Sequence, residues 1–124
     1  MADELQNWLD RYLTAWSSNE PDDIRALFVE DGTYAGGPFD PHPWIGRDAI
    51  VDGWIAHKDE PGEWTFSGEP IAYSDGVGVI EGHTEYKDGN VYANLWVVHL
   101  ADDGRATSFV EWYMEPGPVR EGQA

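Results

Sequence analysis

Residues 63–114 read EWTFSGEPIAYSDGVGVIEGHTEYKDGNVYANLWVVHLADDGRATSFVEWYM, and three Asp-Gly pairs divide the stretch: Asp75-Gly76, Asp88-Gly89 and Asp103-Gly104. Between the pairs run segments rich in valine, tyrosine, tryptophan and phenylalanine. Asp-Gly between alternating apolar runs marks a hairpin, because tight turns need positive φ and Gly adopts it without strain. The stretch therefore predicts a four-strand antiparallel meander, with strands near 63–73, 77–87, 91–101 and 105–114.

Side chains alternate between the faces of a strand. On the third of these strands Tyr92, Asn94, Trp96 and Val98 share one face, and Val91, Leu95, Val97 and His99 the other. On the last, Phe109, Glu111 and Tyr113 oppose Val110, Trp112 and Met114. Both faces are apolar or aromatic. If helices cover one, the other needs a partner, and a homodimer through the sheet face is the economical expectation.

Working outward, the first half reads as helices. Leu5, Trp8, Leu9, Tyr12, Leu13 and Trp16 recur at helical spacing, with Asp3 and Gln6 placed to cap the start. Ser17-Ser18-Asn19 ends this helix, and Pro21 opens a second one carrying Ile24, Leu27 and Phe28, stopped by Asp31-Gly32. Thr33-Tyr34-Ala35 is a short strand. Gly36 to Trp44 (GGPFDPHPW) holds too many prolines for regular structure and reads as a loop. A third helix spans Arg47 to His57, and Pro61-Gly62 breaks it. Gly117 to Ala124 is a polar, flexible tail, expected to fray. The class is α+β, with four long strands and one short strand curved around three N-terminal helices.

At 124 residues the chain is one domain with enough length for a real core. It has no Cys, which excludes disulfides, thiolate metal sites and cysteine nucleophiles. Seven Lys and Arg against 24 Asp and Glu give a formal net charge of −17. Such a field repels nucleic acids and anionic membrane surfaces. No stretch is long enough to span a bilayer, and the chain reads as a soluble cytoplasmic protein. Seven Trp are more than a small interior readily fills, so some should line a cavity or an interface.

Arg11-Tyr12, Ala26-Leu27-Phe28, Asp31-Gly32-Thr33-Tyr34, Pro38, Gly46-Arg47-Asp48-Ala49-Ile50, Asp103-Gly104-Arg105 and Phe109-Val110-Glu111-Trp112 follow one another in this order. The order resembles the SnoaL-like, nuclear transport factor 2-like superfamily over nearly the whole chain. The resemblance implies a cone of curved antiparallel sheet wrapped around three helices, a deep apolar pocket and frequent dimers through the sheet. Residues 1–116 would form a single SnoaL-like domain. The superfamily includes steroid isomerases, polyketide cyclases, dehydratases, epoxide hydrolases and non-catalytic binders, so the fold does not decide the function. By this resemblance Tyr12 takes the place of the oxyanion-donating tyrosine of ketosteroid isomerase. That enzyme's general base would fall at Gly36 and its protonated acid at Trp96, so two of its three working groups are missing. The Asp-Arg-Asp arrangement of the epoxide hydrolases is also absent: the sheet offers Glu81, Glu85 and Glu111, with no Arg inside a strand.

Glu111, flanked on its face by Phe109 and Tyr113, is the leading candidate for a general acid or base, because desolvation raises a carboxylate pKa. Asn94 faces the same way and would orient it; the two read equally as a buried polar couple that satisfies itself. Tyr12 is the donor candidate, or else a core tyrosine with its hydroxyl at the rim. Asp40 and His42 lie on the proline-rich loop expected to border the pocket, where they read as a second acid–base pair or as turn residues. Trp16, Trp54, Tyr92, Trp96, Phe109 and Tyr113, with Asn94, supply the candidate ligand-binding surface. His83 and His99 fall on the opposite face, suited to an interface. No metal-ligand spacing, phosphate loop or nucleophile elbow appears, so neither a metal nor a cofactor is expected. Two functions follow. One is a pocket protein for a small hydrophobic cyclic or aromatic molecule, acting as a cofactor-free isomerase, cyclase or dehydratase. The alternative is a non-catalytic ligand-binding or dimeric assembly module.

Overall fold

The computed structural model describes residues 2–115. The polar tail 117–124 and the domain end at 116 lie outside the described residues. The elements run α1 (Ala2–Ser18), α2 (Pro21–Arg25), β1 (Phe28–Ala35), β2 (Trp44–Ile45), α3 (Arg47–Ala56), β3 (Trp64–Ser74), β4 (Val77–Tyr86), β5 (Val91–Leu100) and β6 (Ala106–Met114). The six strands form one sheet in the order β2-β1-β6-β5-β4-β3.

The meander follows the Asp-Gly pairs. Asp75 and Gly76 both take positive φ, 52° and 81°, the geometry of a two-residue primed turn between β3 and β4. Asp88 and Asp103 instead accept the backbone N–H two residues on, from Asn90 and Arg105, while Gly89 and Gly104 carry the positive φ. Register shifts interrupt the β3–β4, β5–β6 and β1–β6 pairings, as bulges that bend strands do.

Three expectations need correction. The second helix ends at Arg25, and Leu27 and Phe28 do not belong to it. The Leu27 carbonyl accepts from the Trp8 indole at 3.0 Å and from the Ala106 backbone at 2.7 Å, which draws the chain out of the helix and into the sheet. The first strand accordingly runs from Phe28 to Ala35, and Asp31-Gly32 is a bulge inside it rather than a helix stop. Secondly, β1 pairs with β6 in parallel, so the sheet is mixed, and β2 adds a sixth strand from the end of the proline-rich loop. Thirdly, α1 already runs from Ala2; Asp3 lies in its first turn, and Gln6 bonds Asp10 instead of closing a cap.

One apolar face of α1 enters the core through Leu5, Trp8, Leu9, Tyr12 and Ala15, all buried. It meets Ile80, Trp96, Val98 and Phe109 from the inner sheet face and Ile50 and Trp54 from α3. Leu5 rests directly on Gly78, where any Cβ would stand 2.6 Å from its methyls. The strand faces fall as the alternation predicts: Asn94 opposes Tyr113, Trp96 opposes Glu111 and Val98 opposes Phe109 on the inner side. Leu95, Val97, Val110, Trp112 and Met114 lie on the outer side with His83 and His99, and Trp112 and Met114 remain exposed. Among the described residues no helix is long and apolar enough to cross a membrane.

Candidate functional site

A cavity of about 330 Å³ lies between the helices and the inner sheet face. Tyr12 and Trp16 of α1, Tyr34 of β1, Trp44 of β2 and Trp54 of α3 form one side. Thr84 and Tyr86 of β4, Tyr92, Asn94 and Trp96 of β5, and Glu111 and Tyr113 of β6 form the other. His57, Lys58 and Asp59, which follow α3, complete the rim. The walls are held in place by ring contacts behind them. Trp64 stacks on Trp16 with centroids 3.7 Å apart, and Phe66 on Trp96 at 4.8 Å.

Glu111 is the deep carboxylate. Its Oε2 accepts from the Asn94 amide at 2.9 Å and the Trp96 indole at 3.1 Å. The Thr84 hydroxyl donates to Asn94 Oδ1 at 2.7 Å, which turns the amide so that its NH₂ faces the carboxylate. Thr84 and Asn94 are both buried, so this chain of bonds is fixed from behind. Burial pushes the Glu111 pKa up, the two hydrogen bonds oppose that rise, and the nearby Asp59 charge adds to it. Among the described residues Oε1 accepts no hydrogen bond, and it borders a cavity rather than packed protein.

The Tyr12 and Tyr34 hydroxyls lie 3.0 Å apart. A hydroxyl pair shares one proton between its oxygens and has a second proton to give. Burial raises both phenol pKa values, and the Glu111 charge raises each of them further. Both groups therefore stay neutral donors at physiological pH.

Asp59 is the second carboxylate. Its Oδ2 accepts from the Trp16 indole at 3.1 Å and the Tyr86 hydroxyl at 3.2 Å. Its backbone carbonyl accepts from Asn19, whose side-chain oxygen in turn holds the Trp54 indole at 3.0 Å. The segment after α3 is thus tied to α1 and to β4 across the rim.

Of the residues singled out from sequence, Tyr12, Trp16, Trp54, Tyr92, Asn94, Trp96, Glu111 and Tyr113 border this cavity. Phe109 lies beneath it, packed against Tyr12, Tyr34, Trp8 and Trp96. Asp40 and His42 stand apart from it. The Asp40 carboxylate accepts the Gly36 and His42 backbone N–H groups, each at 2.8 Å, and these bonds lower its pKa. That is the chemistry of a loop closing on itself. Tyr34, Asp59, Thr84 and Tyr86 were not foreseen. Alternation from Ile80 through Thr84 to Tyr86 could have found two of them. Tyr34 lies on the short strand expected at 33–35, too short for alternation to assign its face, and no pattern marks Asp59. Among the described residues no three His, Asp or Glu side chains gather as a metal site.

The SnoaL-like domain model matches residues 9–120, and the chain belongs to that family. No curated protein matches it. Solved structures share the fold, among them the following three. An NTF-2 like protein of unknown function from Burkholderia xenovorans LB400 is 13% identical, with a TM-score of 0.75 over 96% of this chain and 89% of its own. An NTF2-like protein of unknown function from Mesorhizobium loti is 19% identical, with a TM-score of 0.69 over 91% and 93%. A ketosteroid isomerase-like protein from Erwinia carotovora atroseptica SCRI1043 is 15% identical, with a TM-score of 0.66 over 93% and 97%. At these identities the likeness concerns the fold.

Proposed function

We propose that the protein binds a small, flat cyclic or aromatic molecule in this cavity and performs cofactor-free acid–base chemistry on it. One observation carries the reading: a carboxylate of raised pKa, with one oxygen free, shares an aromatic cavity with a neutral hydroxyl pair. Glu111 Oε1 takes a proton from a carbon beside a carbonyl. The Tyr12–Tyr34 pair donates to the oxygen on which negative charge then develops. Return of the proton to another carbon is isomerisation; loss of a neighbouring hydroxide as water is dehydration. The ketosteroid isomerase-like relative is consistent with such chemistry, although this cavity places its carboxylate on β6 and has Trp96 where that enzyme type keeps an acid.

Solvent exchange tests the reading without knowledge of the natural substrate. In D₂O, flat cyclic ketones bound by the protein should exchange protons beside the carbonyl faster than in buffer. Glu111→Gln should remove that exchange while leaving affinity, read from Trp fluorescence, largely intact. Exchange that survives the substitution would remove Glu111 from its role.

The same geometry also serves a binder without turnover. The indoles of Trp16, Trp54 and Trp96 are all hydrogen-bonded, so the walls are preformed. Binding of the ketones with no exchange above buffer would favour that reading. We further propose that a second copy of the chain covers the outer face around Leu95, Trp112 and Met114, forming a homodimer.

A further inference from the structure

The charges around the cavity are one-sided. Asp59 and Glu111 both border it, and the Asp59 charge is felt at Glu111. Among the described residues neither carboxylate forms an ion pair. In each, both donors land on a single oxygen, Oδ2 of Asp59 and Oε2 of Glu111, and the other oxygen has no partner among the described residues. Nine of the fifteen lining residues are Trp or Tyr, whose ring faces carry partial negative charge. The one Lys at the rim is Lys58, whose side chain is exposed, so its charge is solvated while Glu111 lies deeper. Two carboxylates thus share one space, and among the described residues no cation is paired with either.

We infer that the ligand carries a protonated amine, seated against Asp59 between Trp16, Tyr86 and Tyr92, with its ring extending inward to Glu111. An ammonium donates to the free Asp59 Oδ1 through a charge-assisted hydrogen bond. The Trp16 and Tyr86 bonds to Oδ2 hold the carboxylate in that pose before the ligand arrives, so little ordering remains to be done on binding. Glu111 and the hydroxyl pair stay free for the ring end. This rests on the proposed function for its site and ring, and adds the chemical class of the substituent and the residue that selects it. The surrounding charge of −17 would also draw such a cation in, an effect that falls with salt.

Calorimetry with three probes of one shape tests the inference: (2-naphthyl)methylammonium, its neutral alcohol, and naphthalene-2-carboxylate. In about 0.15 M salt, where distant surface charges are largely screened, the ammonium should bind at least about tenfold tighter than the alcohol. Asp59→Asn keeps an acceptor for Trp16 and Tyr86; it should bring that ratio below about threefold, chiefly by weakening the ammonium. Glu81→Gln, on the outer face, removes an equal charge and should leave the ratio alone. Lys58→Met, at an exposed position, should widen it. An alcohol that binds as well as the ammonium, a carboxylate that binds best, or an undiminished ratio in Asp59→Asn would overturn the ammonium seat while leaving the cavity as a binding site. Failure of all three probes to bind would overturn the seat and the proposed function together.

Discussion

Glu111 is pulled both ways: burial and the Asp59 charge favour its proton, whereas the Asn94 and Trp96 bonds favour its loss. The balance lies on the raised side, which fixes the sign of a pH effect. A group whose folded pKa exceeds its unfolded one gives its full stabilisation below the unfolded value and loses it as pH rises through the folded one. Glu111→Gln removes that loss. The variant should therefore gain stability on the wild type between pH 4 and pH 8 in urea melts, and a constant difference would contradict this. Thr84 tests the relay behind it. Thr84→Val strands Asn94 Oδ1, frees the amide to flip, and should destabilise the fold by about 1–3 kcal/mol. It should also raise the Glu111 pKa further, because an opposing hydrogen bond weakens; Thr84→Ser should restore both. At this scale the sequence was legible where strand alternation applied, as with Asn94, Trp96 and Glu111. It was silent on Asp59, which is placed by contacts to three distant residues, Trp16, Asn19 and Tyr86.

The elements show where local signals lose to packing. Leu27 and Phe28 continue a helical apolar spacing, yet the Leu27 carbonyl is captured by Trp8 and Ala106 and the chain becomes a strand. A five-residue helix has little cooperative stability of its own to resist this. The meander, by contrast, was readable because turn chemistry and alternation point the same way. The parallel pairing of β1 with β6 leaves no local mark, since residues 28–35 meet 106–110 only in the folded chain. Gly53 supplies a test within α3. Helix propensity favours Ala over Gly by about 1 kcal/mol. Here a Cβ would stand 2.6 Å from Cδ2 and Cζ2 of Trp44, inside the cavity wall. Gly53→Ala should therefore destabilise, by about 1–3 kcal/mol as overpacking does, and disturb Trp44. A rise in Tm would show that the indole moves away freely.

For the whole molecule, the curved sheet is covered on its inner face and bare on its outer one. Trp112 is 45% and Met114 60% exposed beside the half-buried Leu95, Val97 and Val110. Glu69 opposes Glu81 on the same face, and His83 bonds Glu85 at 3.2 Å, giving the apolar patch a charged border. Such a patch suits a self-complementary interface. Light scattering should find a dimer, and Trp112→Arg should convert it to a folded monomer; a monomeric wild type would leave the outer face merely solvated. The account as a whole turns on Glu111 being a half-buried, desolvated carboxylate held for use. The direct measurement is its carboxyl ¹³C titration by NMR, assigned by loss of the signal in Glu111→Gln. We expect a midpoint clearly above the ordinary glutamate range, moving when a flat ligand fills the cavity. A midpoint in the ordinary range, unmoved by any bound ligand, would contradict the account.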